Sequence, residues 1–167
     1  MSFLVDKWPI TEIPLLEKQY AEYKKYLESF QGRLPSSALT FATAAWHYDA
    51  RDHRALHDSW LESLAIREIF EGERMQHRSV EIEMHLLGAY HDGHTTLTYR
   101  GVAGYALSLP HRDSGHADLL VDEFSLSANG LLVHEILFSS GGRYSVECRD
   151  FDWLWSPFSE VSRVVPA

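Results

Sequence analysis

The chain has 167 residues, 45 % of them hydrophobic, which is typical of one folded domain with its own core rather than of a disordered segment. Its formal net charge of −9 argues against a general nucleic-acid partner and favours a basic protein partner. The alternative is that the acidity only keeps the protein soluble. No apolar run approaches the ~20 residues that span a bilayer, and the first ten residues have no secretory signal pattern. The chain has one cysteine, Cys148, so no internal disulfide can form. We therefore expect a cytoplasmic protein without a membrane partner.

The first predicted element is an amphipathic helix from about Glu12 to Gln31. Thr11 can cap its start, Pro14 falls in its first turn, and Gly32 can end it in the left-handed conformation. We expect its apolar stripe to pack on the protein's own sheet, although a partner-binding stripe would have the same pattern. The stripe has spacings of 3, 4, 3, 4 and 3 residues and consists of Ile13, Leu16, Tyr20, Tyr23, Leu27 and Phe30.

The segment 38–46 fits two structures. Its alanines favour a short buried helix. The alternation of Leu39, Phe41 and Thr43 with smaller residues is also compatible with a strand. The polar stretch 47–58 that follows is predicted to be a loop.

From Trp60 onward, apolar and polar residues alternate as they do in half-buried strands, most clearly over Val80–Leu86. Asp92-Gly93 and Asn129-Gly130 are strong hairpin signals, and Gly101 is interpreted as a bulge. Turns this tight exclude a parallel sheet, whose crossovers need a dozen residues or more. We therefore predict an α+β single domain over residues 1–167. A helical N-terminal part, about 11–47, supplies one or two helices that pack on one face of an antiparallel β-meander of six or seven strands, about 58–155.

The sequence contains no pattern that assigns catalysis, a cofactor or a metal. It has ten histidines but no HExxH or CxxC framework and no GxSxG nucleophile motif. Cys148 lies in an alternating run that points it inward as a small apolar residue. We assign no catalytic residue, no metal ligand and no cofactor. A small metal-dependent hydrolase that uses a His/Asp cluster remains an alternative, with His53, His57, His91 and His94 as its first candidates.

Residues Phe151, Trp153 and Trp155 share one parity near the end of the last predicted strand. If buried, they close the core. If exposed, they would form an aromatic anchor for a partner. The first interpretation is favoured.

The stretch Leu56–Ile66, in which His57-Asp58 precedes the first strand, is followed by an aromatic strand over Thr95–Tyr105. This pattern resembles small bacterial β-meander proteins of poorly defined function, some of which resemble immunity proteins of polymorphic toxin systems. The resemblance covers about residues 56–107. It implies a binding role, such as neutralising a toxin, and brings no catalytic residues with it.

We predict a partner-binding surface formed by His57, Asp58, Trp60, His91 and Asp92. Both His-Asp pairs lie beside strand ends, which a meander can bring to the same end of the sheet, and Trp60 would be the aromatic anchor. Structural roles are the alternative, since Asp92 belongs to an Asp-Gly turn and Asp58 can fasten a loop. The leading hypothesis is a non-enzymatic, immunity-like binding protein that docks a basic protein partner through an acidic surface. A homo-oligomer joined through sheet edges is a further alternative.

Overall fold

A computed structural model of the chain describes residues 2–10, 12–30, 32–110 and 115–159. The predicted cap Thr11 lies outside these residues. A short 3₁₀ helix, Val5–Lys7, precedes helices α1 (Ile13–Ser29) and α2 (Ser36–Thr43). In the described part of the chain, the strands are β1 (Trp60–Glu71), β2 (His77–Leu87), β3 (Gly93–Arg100), β4 (Gly104–Ser108), β5 (Leu119–Leu126), β6 (Leu132–Phe138), β7 (Arg143–Cys148) and β8 (Asp150–Pro157). The α+β class with N-terminal helices and antiparallel strands is confirmed, and no helix in these ranges is long and apolar enough to cross a membrane.

The strands form two four-stranded sheets, whereas the sequence predicted six or seven strands in one meander. The first sheet has the order β1-β2-β3-β8 and the second has the order β4-β7-β6-β5. Gly101, with φ of +58°, directly follows β3. The β-rich stretch that was expected to continue through it as a bulged strand is divided into β3 on the first sheet and β4 on the second. Arg149 separates β7 from β8 in the same way, and its N–H faces the carbonyls of Arg100 and Gly101 at 3.1 and 3.3 Å. The chain therefore passes from the first sheet to the second after β3, and it returns to the first sheet after β7.

The core lies where the inner faces of the two sheets meet. Tyr99 on β3 and Phe151 on β8 contact His134 on β6, with ring centroids 5.8 Å apart in each case. All three side chains are buried. Helix α2 covers one side of this core, because the Phe41 ring lies 5.4 Å from that of Phe151. Residues 38–43 are thus helical, the first of the two structures that the sequence allowed.

Helix α1 packs on the edge strand β5 through the second half of its stripe. Tyr23 and Leu27 are 1 % exposed, and the Tyr23 hydroxyl accepts the Phe124 N–H at 2.6 Å. The same hydroxyl lies 3.3 Å from the Phe124 carbonyl. The predicted burial of the stripe is confirmed there, whereas Ile13 at its start is 70 % exposed. These contacts fix the position of Tyr20, which lines a cavity between α1 and β5.

Candidate functional site

The five residues predicted as a partner-binding surface lie near one end of the first sheet. His57 and Asp58 directly precede β1, and the pairing of Trp60 with Leu87 places the β2–β3 turn, which holds His91 and Asp92, beside them. The structure brings Trp60 and His91 into contact, with ring centroids 4.4 Å apart. The side chains of His57 and Asp92 point away from this contact.

Asp92 and His57 each have a partner away from Trp60. The Asp92 carboxylate binds Nδ1 of His53 at 2.5 Å. His57 Nδ1–H donates to the Leu120 carbonyl at 2.8 Å, and the ring faces a separate cavity. Asp58 lies between His57 and Trp60 in the chain, and its carboxylate is 3.4 Å from His57 Nε2.

Trp60 is half-exposed and yet fixed in position. The residue is 48 % exposed, and its indole N–H donates to the Asp118 carboxylate at 2.8 Å. The His91 ring lies edge-on against it at 65°. Beside Trp60 is an open groove of about 520 Å³, lined by Leu61 and residues 115–118. Sequence reasoning missed Asp118 because 58 residues separate it from Trp60, and no motif marks it.

Unusual backbone conformations concentrate around this tryptophan. Within the described ranges, the non-glycine residues with left-handed φ are Asp58, Met75, His91 and Ala117. Three of these four adjoin Trp60, and Ala117, with φ of +57°, lacks the polar side chain that makes this conformation tolerable for Asp or His. Such conformations persist where the surrounding structure enforces them, and they cluster at functional sites.

One carboxylate contacts the indole, and two more flank Trp60 in the chain. Asp118 binds it directly, and Glu62 lies two residues further along β1, with its carboxylate 2.7 Å from Nε2 of His94. The Asp58 side chain is 59 % exposed. We call the set of Asp58, Trp60, Glu62, His91 and Asp118 the Trp60 surface. This surface combines an immobilised aromatic ring with three carboxylates.

A buried hydrogen-bonded chain, which the sequence analysis did not predict, crosses the core between the two sheets. The Tyr99 hydroxyl lies 2.7 Å from Nδ1 of His134, whose Nε2 lies 3.0 Å from the Asp122 carboxylate. The same carboxylate lies 3.1 Å from Nε2 of His47. A carboxylate only accepts, so both imidazoles carry a proton on Nε2, and the Tyr99 hydroxyl donates to His134. The one signal in the sequence is that His134 shares the inward parity of Leu132 and Ile136.

The protonation states in this chain follow from burial and charge. Burial by itself would raise the pKa of the Asp122 carboxyl, but the charge of His47 and the hydrogen bonds from His134 and His47 outweigh it and hold that pKa well below its usual range. Burial lowers the pKa of His134, and the hydrogen bond from its Nε2 to Asp122 only partly opposes this. Burial also raises the pKa of Tyr99 well above its usual value. Asp122 is thus ionised while Tyr99 and His134 are neutral near pH 7.

His47 links this chain to a second cavity. Its Nδ1 is buried and has no hydrogen-bond partner among the residues that the structure describes. The cavity, of about 160 Å³, is lined by His47, Asp122 and His57 together with Trp8, Tyr20, Tyr48 and four aliphatic residues. Two of its lining residues, His57 and Leu120, lie one and two positions from Asp58 and Asp118 in the chain.

The histidines and carboxylates do not form a metal centre in the parts of the chain that the structure describes. No group of three or more His, Cys, Asp or Glu side chains there has an arrangement that could hold a metal ion. His47, Asp122 and His134 converge, but they bond to one another. His53 and His94, candidates for the hydrolase alternative, pair with Asp92 and Glu62 instead.

Comparison with protein-family models, with curated proteins and with solved structures finds no match for this chain.

Proposed function

We propose that this protein is a binding protein that docks a basic protein partner on the Trp60 surface. The observation that carries the proposal is the half-exposed, immobilised indole of Trp60 among carboxylates. The resemblance to immunity proteins makes a toxin the expected class of partner. The proposal assigns no catalytic role to any residue of this surface.

An immobilised tryptophan is suited to be the anchor of an interface. The Asp118 hydrogen bond and the His91 contact hold the ring, so little side-chain freedom remains to be lost on binding. A tryptophan has about 250 Å² of surface, and the exposed half would contribute at most about 3 kcal/mol when a partner covers it. That is the size of an interface hot spot, and tryptophan is enriched among hot spots.

The charge of the surface supports a basic partner. Asp118 binds the indole, Asp58 and Glu62 flank Trp60 two positions away on either side in the chain, and the whole chain carries a formal net charge of −9. Opposite fields accelerate encounter and disfavour acidic partners. Because exposed charges are screened within ~8 Å at physiological salt, the association should weaken as salt rises.

Capture from the native host at 50 and 500 mM salt tests the proposal. The wild type should capture a basic protein at low salt and less of it at high salt. Trp60→Ala should abolish the capture, whereas Tyr105→Ala, which removes a 51 % exposed aromatic residue of β4 on the second sheet, should leave it unchanged. Capture of an acidic partner, or capture that survives Trp60→Ala, would contradict the proposal.

The variants Asp58→Asn and Asp92→Asn separate the Trp60 surface from the turns beside it. Asp58→Asn should weaken capture while thermal unfolding is unchanged, since asparagine also accepts a left-handed backbone. Asp92→Asn should affect stability rather than capture, because Asp92 binds His53. Equal effects of both variants on capture would restore Asp92 to the surface.

A second candidate function, homo-oligomerisation through a sheet edge, is favoured by one observation. Strand β1 pairs with β2 on one side, and on its other side the described residues provide only the isolated bridge from Trp60 to Asp118. Ile66 and Phe70 on this strand are 42 % and 47 % exposed. Long apolar edges of this kind favour pairing with a second chain. Light scattering should then find a dimer for the wild type and a monomer for Ile66→Lys, with Leu154→Lys on β8 as the control.

A further inference from the structure

The groove beside Trp60 has a negative charge that its own lining does not offset. Trp60, Leu61 and residues 115–118 line it, and among them Asp118 is the one acidic residue, with no lysine or arginine beside it. Burial lowers the pKa of His116, so this imidazole is neutral near pH 7 and does not compensate the carboxylate. The groove is therefore suited to a cation.

The carboxylate of Asp118 is accessible and has no cationic partner. The residue is half-buried, and one carboxylate oxygen accepts the Trp60 indole N–H, which is a neutral donor. The second oxygen has no hydrogen-bond partner among the described residues, and it is not one of their enclosed polar atoms. No described lysine, arginine or histidine forms an ion pair with this carboxylate. Its charge is thus available to a cation that enters the groove.

The chain holds this carboxylate and the indole in fixed positions. The Asp118 N–H donates to the Ser139 hydroxyl at 3.1 Å, and the Asp118 carbonyl accepts the Ser139 N–H at 2.7 Å. The isolated bridge between Trp60 and Asp118 joins the same residue to β1. Because these groups are already ordered, little further ordering is needed when a ligand arrives.

We propose that the groove receives an arginine side chain of the basic partner. The guanidinium group donates to the accessible oxygen of Asp118 and lies against the Trp60 indole. The methylene groups of the arginine pack on Leu61 and Ala117. The inference rests on the proposed docking, because it names the part of the partner that the Trp60 surface recognises.

The geometry of the groove favours arginine over lysine. A guanidinium group is planar, so it stacks on an aromatic ring and bonds to a carboxylate at the same time. A lysine ammonium is a compact and strongly hydrated charge without such a plane. The groove of about 520 Å³ exceeds the ~150 Å³ that holds a benzene molecule, so it has room for the side chain and for the peptide backbone beside it.

Titration of the full chain with short peptides tests this chemistry. The probes are acetyl-Gly-Arg-Gly-amide, its citrulline analogue, which has the shape of arginine without the charge, and its lysine analogue. Binding is followed by NMR at the indole N–H resonance of Trp60, which is identified by its absence from the spectrum of Trp60→Leu.

The arginine peptide should shift this resonance saturably, and the citrulline peptide should not. The lysine peptide should have a dissociation constant at least about threefold higher than that of the arginine peptide. Absence of a saturable shift with the arginine peptide, or equal binding of the arginine peptide and either analogue, would overturn the proposal.

Variants assign the binding to the groove. Asp118→Asn keeps an oxygen that accepts the indole N–H but removes the charge, so it should weaken binding of the arginine peptide by about fivefold or more. Asp152→Asn is the matched control, because the Asp152 side chain on β8 is 58 % exposed and outside the groove lining. Its dissociation constant should stay within about twofold of wild type. Unchanged binding by Asp118→Asn, or equal losses for the two variants, would overturn the assignment.

Trp60→Leu serves if Asp118→Asn does not fold. It removes the π-face, and binding is then followed at the backbone N–H resonance of Asp118. A loss of about threefold or more is expected, and wild-type affinity would contradict the stacking.

The results also distinguish this inference from the proposed docking. Capture that requires Trp60, combined with no binding of the arginine peptide, would support the docking and reject the arginine. Binding of the arginine peptide without capture of a basic protein would support the chemistry of the groove and reject the docking.

Discussion

Replacement of His134 by phenylalanine tests the buried chain that joins the two sheets. The imidazole stacks on Phe124 with a centroid distance of 4.0 Å and an interplanar angle of 8°, so a phenyl ring keeps the shape and the stacking. It cannot accept the Tyr99 hydroxyl or donate to Asp122. The substitution thus removes two hydrogen bonds while changing the packing little.

The expected loss follows from the groups left behind. The Tyr99 hydroxyl would be buried without a partner, at a cost of about 1–3 kcal/mol. The Asp122 carboxylate would lose one of its two imidazole donors, and hydrogen bonds to charged groups contribute about 1.5–3 kcal/mol. We therefore expect His134→Phe to lower the free energy of unfolding by about 3–5 kcal/mol at pH 7.

The same variant should change the pH dependence of stability. The pKa of His134 is lowered in the folded protein, so as pH falls below 6.5 the unfolded chain takes up a proton at this residue that the folded protein resists. The wild type therefore loses stability through this group at up to about 1.4 kcal/mol per pH unit below pH 6.5. His134→Phe lacks this contribution, so its stability should decline less steeply between pH 6 and pH 5.

Urea unfolding at several pH values measures both effects, and Tyr99→Phe provides the control. Loss of the tyrosine hydroxyl alone should cost about 1–2 kcal/mol. The double variant should be less destabilised than the sum of the single variants, because no hydroxyl is then left unpaired. Wild-type stability of His134→Phe, or an unchanged slope with pH, would refute the role given to this chain.

Three further outcomes are expected. Tyr23→Asp should destabilise by about 3–5 kcal/mol in urea unfolding, because it places a charge in the packed contact with β5; a wild-type midpoint would mean that this face of α1 is not held on the sheet. Burial, with the charge of Asp150, raises the pKa of the Cys148 thiol to about 12, so the thiol should react slowly with a disulfide reagent in the folded protein at pH 8 and rapidly in urea; equal rates would contradict its burial. After dialysis against a mild chelator, elemental analysis should find far less than one transition-metal ion per chain, and near one zinc, manganese or iron would reinstate the hydrolase alternative.

Local patterns in the sequence were sufficient for the elements of the fold. The stripe through Tyr23 and Leu27 predicted α1, because a helix places residues three and four apart on one face. The alternation over Val80–Leu86 predicted β2, and the Asn129-Gly130 turn predicted the β5–β6 hairpin. The division into two sheets could not be predicted, because it depends on the pairing of β8 with β3, whose partner residues lie 50 to 64 positions earlier in the chain.

The candidate site was predictable only in part for the same reason. Trp60 and His91 could be placed together because they flank one predicted hairpin. Asp118 and His47 have no local signal in the sequence. Asp118 bonds to Trp60 across 58 positions of the chain, and His47 bonds to Asp122 across 75 positions. The sequence of β6 does contain a signal for His134, because a polar residue there shares the parity of apolar residues.

The dissociation constant of the captured basic partner tests the central claim most directly. It should be measured by calorimetry for the wild type, Trp60→Ala and Tyr105→Ala at one salt concentration, with thermal unfolding showing that all three are folded. We predict that Trp60→Ala weakens binding by about 30-fold or more, the effect of a hot spot of about 2 kcal/mol, while Tyr105→Ala stays within about twofold of wild type. Equal dissociation constants for the wild type and Trp60→Ala would contradict the assignment of the Trp60 surface as the docking site.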